Sequence, residues 1–195
     1  MPRIGMEPIR RKALISAAID AIHDRGMAQV TMSEIAKRAG VSAALAHHYF
    51  GRKDQLLLAT MRHLLAELSA ENQARLAKAT TPTERIAAII RGNFAEDQFR
   101  PAVISAWLAF YVQAQTDPEA RRLLRIYTRR LESNLVHAMR GLAKRERAAE
   151  IAEMAGALID GLWIRHSLSD RKPDPETAIA FVESAVREAL EKSNA

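Results

Sequence analysis

Apolar residues recur three and four positions apart through most of this chain, and no stretch alternates apolar and polar residues in the Val/Ile/Thr-rich manner of a strand. The pattern predicts an all-α protein of about nine helices. The first spans about Pro8 to Arg25, with Leu14, Ala17, Ala18, Ala21 and Ile22 on one face and Gly26 as its stop. Thr31 opens a second helix as a capping box with Glu34, and Gly40 ends it. Ser42 caps a third, which reaches Phe50. A long fourth runs from about Lys53 to Lys78. Thr81-Pro-Thr-Glu84 caps the fifth, and the sixth covers Pro101 to Gln115. Asp117-Pro118 starts the seventh, closed by Gly141 after Arg140. The eighth covers Arg145 to Leu168, and Asp174-Pro175 starts the ninth, which ends near Lys192. The segment Ser169 to Pro173 reads as a flexible connection.

The second and third helices form a tight pair over residues 31–50. Ile35, Ala36 and Ala39 face inward, Gly40 permits a sharp turn, and Val41 plugs the corner. Ser42 then starts a helix whose first residues are small enough to approach base edges, with Tyr49 and Phe50 as anchors. Charge agrees with this placement. Residues 1–62 hold ten Lys/Arg against five Asp/Glu, whereas the remaining 133 hold nineteen against eighteen. The excess of positive charge in the first third suits a polyanionic partner, and the near-neutral remainder argues against a non-specific architectural protein.

Composition removes other classes. With no cysteine in 195 residues there is no disulfide, thiolate metal site or cysteine nucleophile. There is no Glu-x-x-His pair, Gly-rich phosphate loop or spaced nucleophile and base, so neither an enzyme nor a bound metal or cofactor is expected. No apolar run approaches the roughly 18 residues of a membrane span, and no secretory signal opens the chain, so a cytoplasmic protein without membrane contact is expected.

From Arg11 to Leu57 the chain resembles the DNA-binding domain of the TetR family. The resemblance rests on Ala17-Ala18, Gly26, Thr31, Ile35-Ala36, Ala39-Gly40-Val41-Ser42, Tyr49-Phe50, Lys53 and Leu56-Leu57. It implies a helix-turn-helix DNA-binding domain over residues 8–68 and a helical ligand-binding and dimerisation domain over 69–195. Carried over by position, Ala43, Ala44, Leu45 and His48 lie nearest the bases. Thr31, Ser42, His47, Tyr49 and Lys53 approach phosphates. His47 departs from the pattern, since the family usually places an aromatic, often Tyr, there. The partners implied are near-palindromic double-stranded operator DNA, a small-molecule inducer, and a second copy joined through the last two helices.

The likeness extends across the chain to the branch of that family repressing glycine betaine synthesis from choline. It runs through Met1 to Arg11, Trp107 to Phe110, Arg129 to Leu135 and Ala157 to Arg165. It implies a repressor released by choline or a related cation. The alternative within the family is a multidrug-type regulator answering another small apolar or cationic compound.

An aromatic constellation fits a quaternary cation. Trp107, Phe110 and Tyr111 share a face of the sixth helix; Asn93, Phe94 and Asp97 are expected to share one on the fifth; Tyr127 lies on the seventh; Asp160 and Trp163 lie a turn apart on the eighth. Ring faces attract such a cation and a carboxylate neutralises it. The same spacing serves a packed core equally. On the last two helices, Ile151, Met154, Ala155, Leu158 and Leu162, with Ile179, Val182, Val186 and Leu190, exceed what a thin bundle needs, and are expected to face a partner copy.

Overall fold

The computed structural model describes residues 5–169 and 174–193. The described residues form nine α-helices: α1 (Met6–Arg25), α2 (Met32–Arg38), α3 (Ala43–Phe50), α4 (Lys53–Leu76), α5 (Pro82–Asn93), α6 (Pro101–Gln113), α7 (Pro118–Ala138), α8 (Arg145–Ser167) and α9 (Pro175–Glu191). Most of the connection expected to be flexible, 170–173, lies outside the described residues.

Helix ends follow from their capping chemistry. Thr31, Ser42, Thr81 and Asp174 each accept the backbone N–H three residues on, satisfying a donor that no carbonyl can reach. At Thr81 the reciprocal bond also forms, from the Thr81 amide to Glu84. At Thr31 it does not, which corrects the expected box. The Glu34 carboxylate is instead held by Arg25 at 3.0 Å and Arg38 at 3.1 Å, and charge-assisted pairs outcompete a single amide. After α2, Gly40 takes a φ of +66° while its N–H bonds Lys37 O and that of Val41 bonds Ala36 O. This left-handed turn needs a residue without Cβ, and it sets the angle between α2 and α3.

The chain forms two compact units that do not follow its linear order. One comprises the residues up to Leu64 together with Pro101–Leu123; the other comprises Leu65–Arg100 and the residues from Leu124 onward. The compact units therefore fall differently from a division at residues 68 and 69, because α6 packs against α1. α4 contributes its first half to one unit and its second half to the other.

In the first unit, Leu14, Ala18 and Ile22 of α1, Ile35 of α2, Ala46 and Phe50 of α3 and Leu56 of α4 share one buried cluster. Removing side chains of this size from water supplies on the order of 1.5 to 3 kcal/mol each. The His23 ring meets Ser105 Oγ at 2.9 Å, and Arg62 pairs with Glu119. In the second unit α8 and α9 pack as a pair and α9 also covers α5. Arg91 of α5 reaches Glu183 of α9 at 2.9 Å.

The expectation that Phe94 and Asp97 continue the face of Asn93 fails. α5 stops at Asn93, with Phe94 as its C-cap and Asp97 beyond it. Phe94 and Phe99 meet edge to face with centroids 5.4 Å apart. Residues five apart are not neighbours on a helix, so this buried pairing turns the chain. Continuing the helix would also set Glu96 and Asp97 against the negative end of its dipole.

The apolar faces expected to meet a partner copy are largely used within the chain. Ile151, Ala155, Ile179, Val182 and Val186 are buried, and Met154, Leu158, Leu162 and Leu190 are half-buried. Periodicity identifies a shared face but not what covers it. Among the described residues, the large apolar side chains left open here are Ile164 on α8, Leu168 at its C-cap and Phe181 on α9, at 40%, 78% and 60% exposure.

Candidate functional site

The first unit presents α3 as a platform. Ala46 and Phe50 are buried, which turns Ala44, His47 and His48 outward along one face, with Ala43 and Leu45 half-buried beside them. Tyr49 is half-buried against the core, and its carbonyl accepts from Arg11 Nη1 at 2.9 Å. The Arg11 guanidinium also lies 4.5 Å from the Phe50 ring centroid, tying α1 to the end of α3. Small residues at the start of an exposed helix let its backbone approach a groove floor.

His47 and Lys53 are more engaged than their residue types suggest. His47 Nδ1 donates to Gly51 O at 2.6 Å. A carbonyl only accepts, so Nδ1 carries the proton and Nε2 is the atom left to face outward. Lys53 Nζ donates to Met27 O at 3.2 Å and Val30 O at 3.0 Å, bracing the loop between α1 and α2 and leaving one of its three donors. Thr31 and Ser42 each use the hydroxyl oxygen as a cap acceptor and retain a hydroxyl proton.

Some of the positive charge of this unit is consumed internally. Arg38 spans Asp24 at 2.6 Å and Glu34, and Arg25 also pairs with Glu34. The bond from Arg38 holds the Asp24 carboxyl below its usual range. Lys12, Lys37 and Arg52 remain exposed. Lys37, just before the turn, and Arg52, just after α3, were not among the expected phosphate contacts.

The expected ligand residues divide between the two units. Trp107, Phe110 and Tyr111 belong to the first, where the Trp107 and Phe110 rings stack edge to face at 6.2 Å and both are 1% exposed. The other six belong to the second. There Asn93 and Tyr127 line one cavity of about 310 Å³ between α4, α5 and α7. Asn93 is fully buried, donates to Ile89 O at 2.8 Å and accepts from the Tyr127 hydroxyl at 3.4 Å. Asp97 lines a different, polar cavity with Glu67, Glu71 and Glu96. Phe94 and Trp163 are buried, and Asp160 is half-buried.

The cavity's remaining polar walls were not foreseen. Ser69, Asn72 and Gln73 come from α4, and Arg130 and Asn134 come from α7. Gly92 lets α4 approach α5 here, since an added Cβ would collide with the Asn72 amide. Polar residues at helical spacing inside otherwise apolar stripes were the available signal.

Residues 14–60 match the family described as bacterial regulatory proteins of the tetR family, and residues 82–191 match the C-terminal domain of the BetI-type transcriptional repressor. The chain belongs to the TetR family, in its BetI-type branch. The HTH-type transcriptional regulator BetI of Brucella anthropi is 59% identical over 186 residues, covering 95% of this chain and 96% of that one. The BetI regulator of Rhizobium meliloti is 53% identical, covering 97% and 94%. A transcriptional regulator from Rhodococcus shares the fold with a TM-score of 0.83 at 24% identity, covering 95% of this chain and 98% of that one. A regulator from Saccharomonospora viridis, solved in complex with choline, does so with a TM-score of 0.82 at 22% identity, covering 93% and 97%.

This BetI-type chain is thus a DNA-binding transcriptional repressor, and its relatives are transcriptional regulators. Among the described residues no helix is long and apolar enough to cross a membrane.

Proposed function

We propose that this protein represses genes of choline-to-glycine-betaine synthesis and is released from its operator by choline or a closely related cation. The observation that carries the reading is 59% identity to a BetI regulator along nearly the whole chain, together with a BetI-type C-terminal domain. A structural neighbour that holds choline supports the ligand class.

Residues 8–68 read DNA in this account. Ala43, Ala44, Leu45 and His48 approach base edges, while Thr31, Ser42, His47, Tyr49 and Lys53 position the helix on phosphates. The exposed stripe Ala44, His47 and His48 supports that assignment. Residues 69–195 take the ligand and join two copies through α8 and α9, so that two recognition helices meet a near-palindromic operator in the cytoplasm. Phe181, Ile164 and Leu168 supply exposed apolar area for this contact. Of the expected ligand residues, Asn93 and Tyr127 have support from a shared cavity; Phe94, Asp97, Trp107, Phe110, Tyr111, Asp160 and Trp163 are carried by the aromatic and acidic pattern of the sequence. Choline releases DNA only by binding more tightly to the conformation that does not fit the operator; occupancy alone shifts nothing. The protein regulates without catalysing.

A reporter joined to the DNA upstream of the gene tests this in cells. Deleting the gene and adding choline should each raise expression. Expression that ignores choline but answers an unrelated cation would favour the multidrug-type reading.

A further inference from the structure

The cavity between α4, α5 and α7 has a guanidinium in its wall and no carboxylate to neutralise a cation. No Asp or Glu lines it. Arg130 lines it and forms no ion pair or hydrogen bond among the described residues. Asn72 and Asn134 line it as well, and neither side-chain amide has a hydrogen-bond partner there. The Asn72 Oδ1 is buried on the Gly92 side, which leaves the amide NH2 as its usable donor. Three unassigned donors, one of them a guanidinium, thus converge on one space.

Tyr127 adds the second half of the site. It stands one turn before Arg130 on α7, so the two side chains start about 5 to 6 Å apart. The buried Asn93 accepts from the Tyr127 hydroxyl and holds the ring's orientation. An aromatic face beside a guanidinium suits a molecule that is methylated at one end and anionic at the other.

We infer that this cavity binds a small carboxylate with a methylated cationic or apolar far end, the carboxylate seated on Arg130 and the amides of Asn72 and Asn134. A quaternary ammonium alcohol presents no anion to Arg130. The acid formed by oxidising that alcohol does. The inference rests on the proposed function and deepens it: the oxidised end of the route, and not the alcohol alone, occupies the repressor.

Calorimetric titration of the full-length protein with glycine betaine, and separately with choline, tests this in the wild type, Arg130→Gln and Arg130→Lys. Betaine should bind the wild type, lose about tenfold or more in Arg130→Gln and recover part of that in Arg130→Lys, while choline stays within about twofold. No betaine binding, or equal loss of both ligands in Arg130→Gln, would overturn the inference. Choline's effect on the operator complex is read on the same wild-type protein. If choline fails to release DNA while betaine still depends on Arg130, the proposed function falls and the cavity assignment stands.

Discussion

At the scale of single residues, the Lys53 ammonium is placed to serve two purposes under the proposed function. Two of its donors brace the carbonyls of Met27 and Val30, and the third is free for a phosphate. Lys53→Ala should therefore lower the salt slope of DNA binding by about one and also cost about 1 to 3 kcal/mol of stability, because two carbonyls lose a charge-assisted donor. Salt titrations of operator affinity with a parallel urea unfolding curve separate the effects. An unchanged slope would remove Lys53 from the phosphate contacts. His47 is bound by a different constraint. Its Nδ1 is committed to Gly51, so Nε2 is the ring atom left to meet a phosphate. A Tyr hydroxyl at this position carries a donor that Gly51 does not claim, so His47→Tyr should retain operator affinity, read by fluorescence anisotropy.

At the scale of elements, the caps decide where helices begin. Replacing Ser42 by Ala removes the acceptor for the Leu45 amide at the start of α3 and should cost about 1 kcal/mol, visible as a lower thermal midpoint. Two carboxylate caps add an acid dependence. The Thr80 backbone and hydroxyl and the Thr81 amide hold the Glu84 carboxyl below its ordinary 4.5, and the Thr177 hydroxyl and amide hold Asp174 below 3.8. A folded value below the unfolded one gives stability that is complete above the ordinary value and lost as pH falls through the lower folded one. Unfolding midpoints should accordingly drop on acidification below about pH 4.5, less steeply in Glu84→Gln than in the wild type. Identical acid profiles would contradict the capping role.

Those caps explain why the helices were legible from sequence: Thr31, Ser42, Thr81 and Asp174 act within three residues of themselves. Glu34 and Phe94 were misread for one reason. Each is claimed by a partner outside its own turn, Arg25 in one case and Phe99 in the other.

At the scale of the whole molecule, the proposed pairing of two recognition helices on one operator requires two copies. Phe181 lies on the side of α9 away from Ile179, Val182 and Val186, and its 60% exposure leaves a large aromatic for water or a partner. Phe181→Glu should shift sedimentation from dimer to monomer and abolish cooperative operator binding while leaving helical content intact. A dimeric variant would move the interface elsewhere. Phe181 was hard to single out because the sequence shows which residues share a face of α9, not which face its own chain covers. The candidate ligand site was partly legible for the same reason. Asn93 and Tyr127 were recognisable as residue types a ligand uses, whereas Arg130 and Asn72 gain meaning only once α4, α5 and α7 enclose one cavity.

The measurement closest to the central claim is fluorescence anisotropy of the purified protein on DNA from upstream of its own gene, titrated with choline at fixed salt. Saturable release by choline, with no release by an unrelated cation of equal charge, is the predicted result. A complex that betaine-pathway compounds neither loosen nor tighten would contradict it.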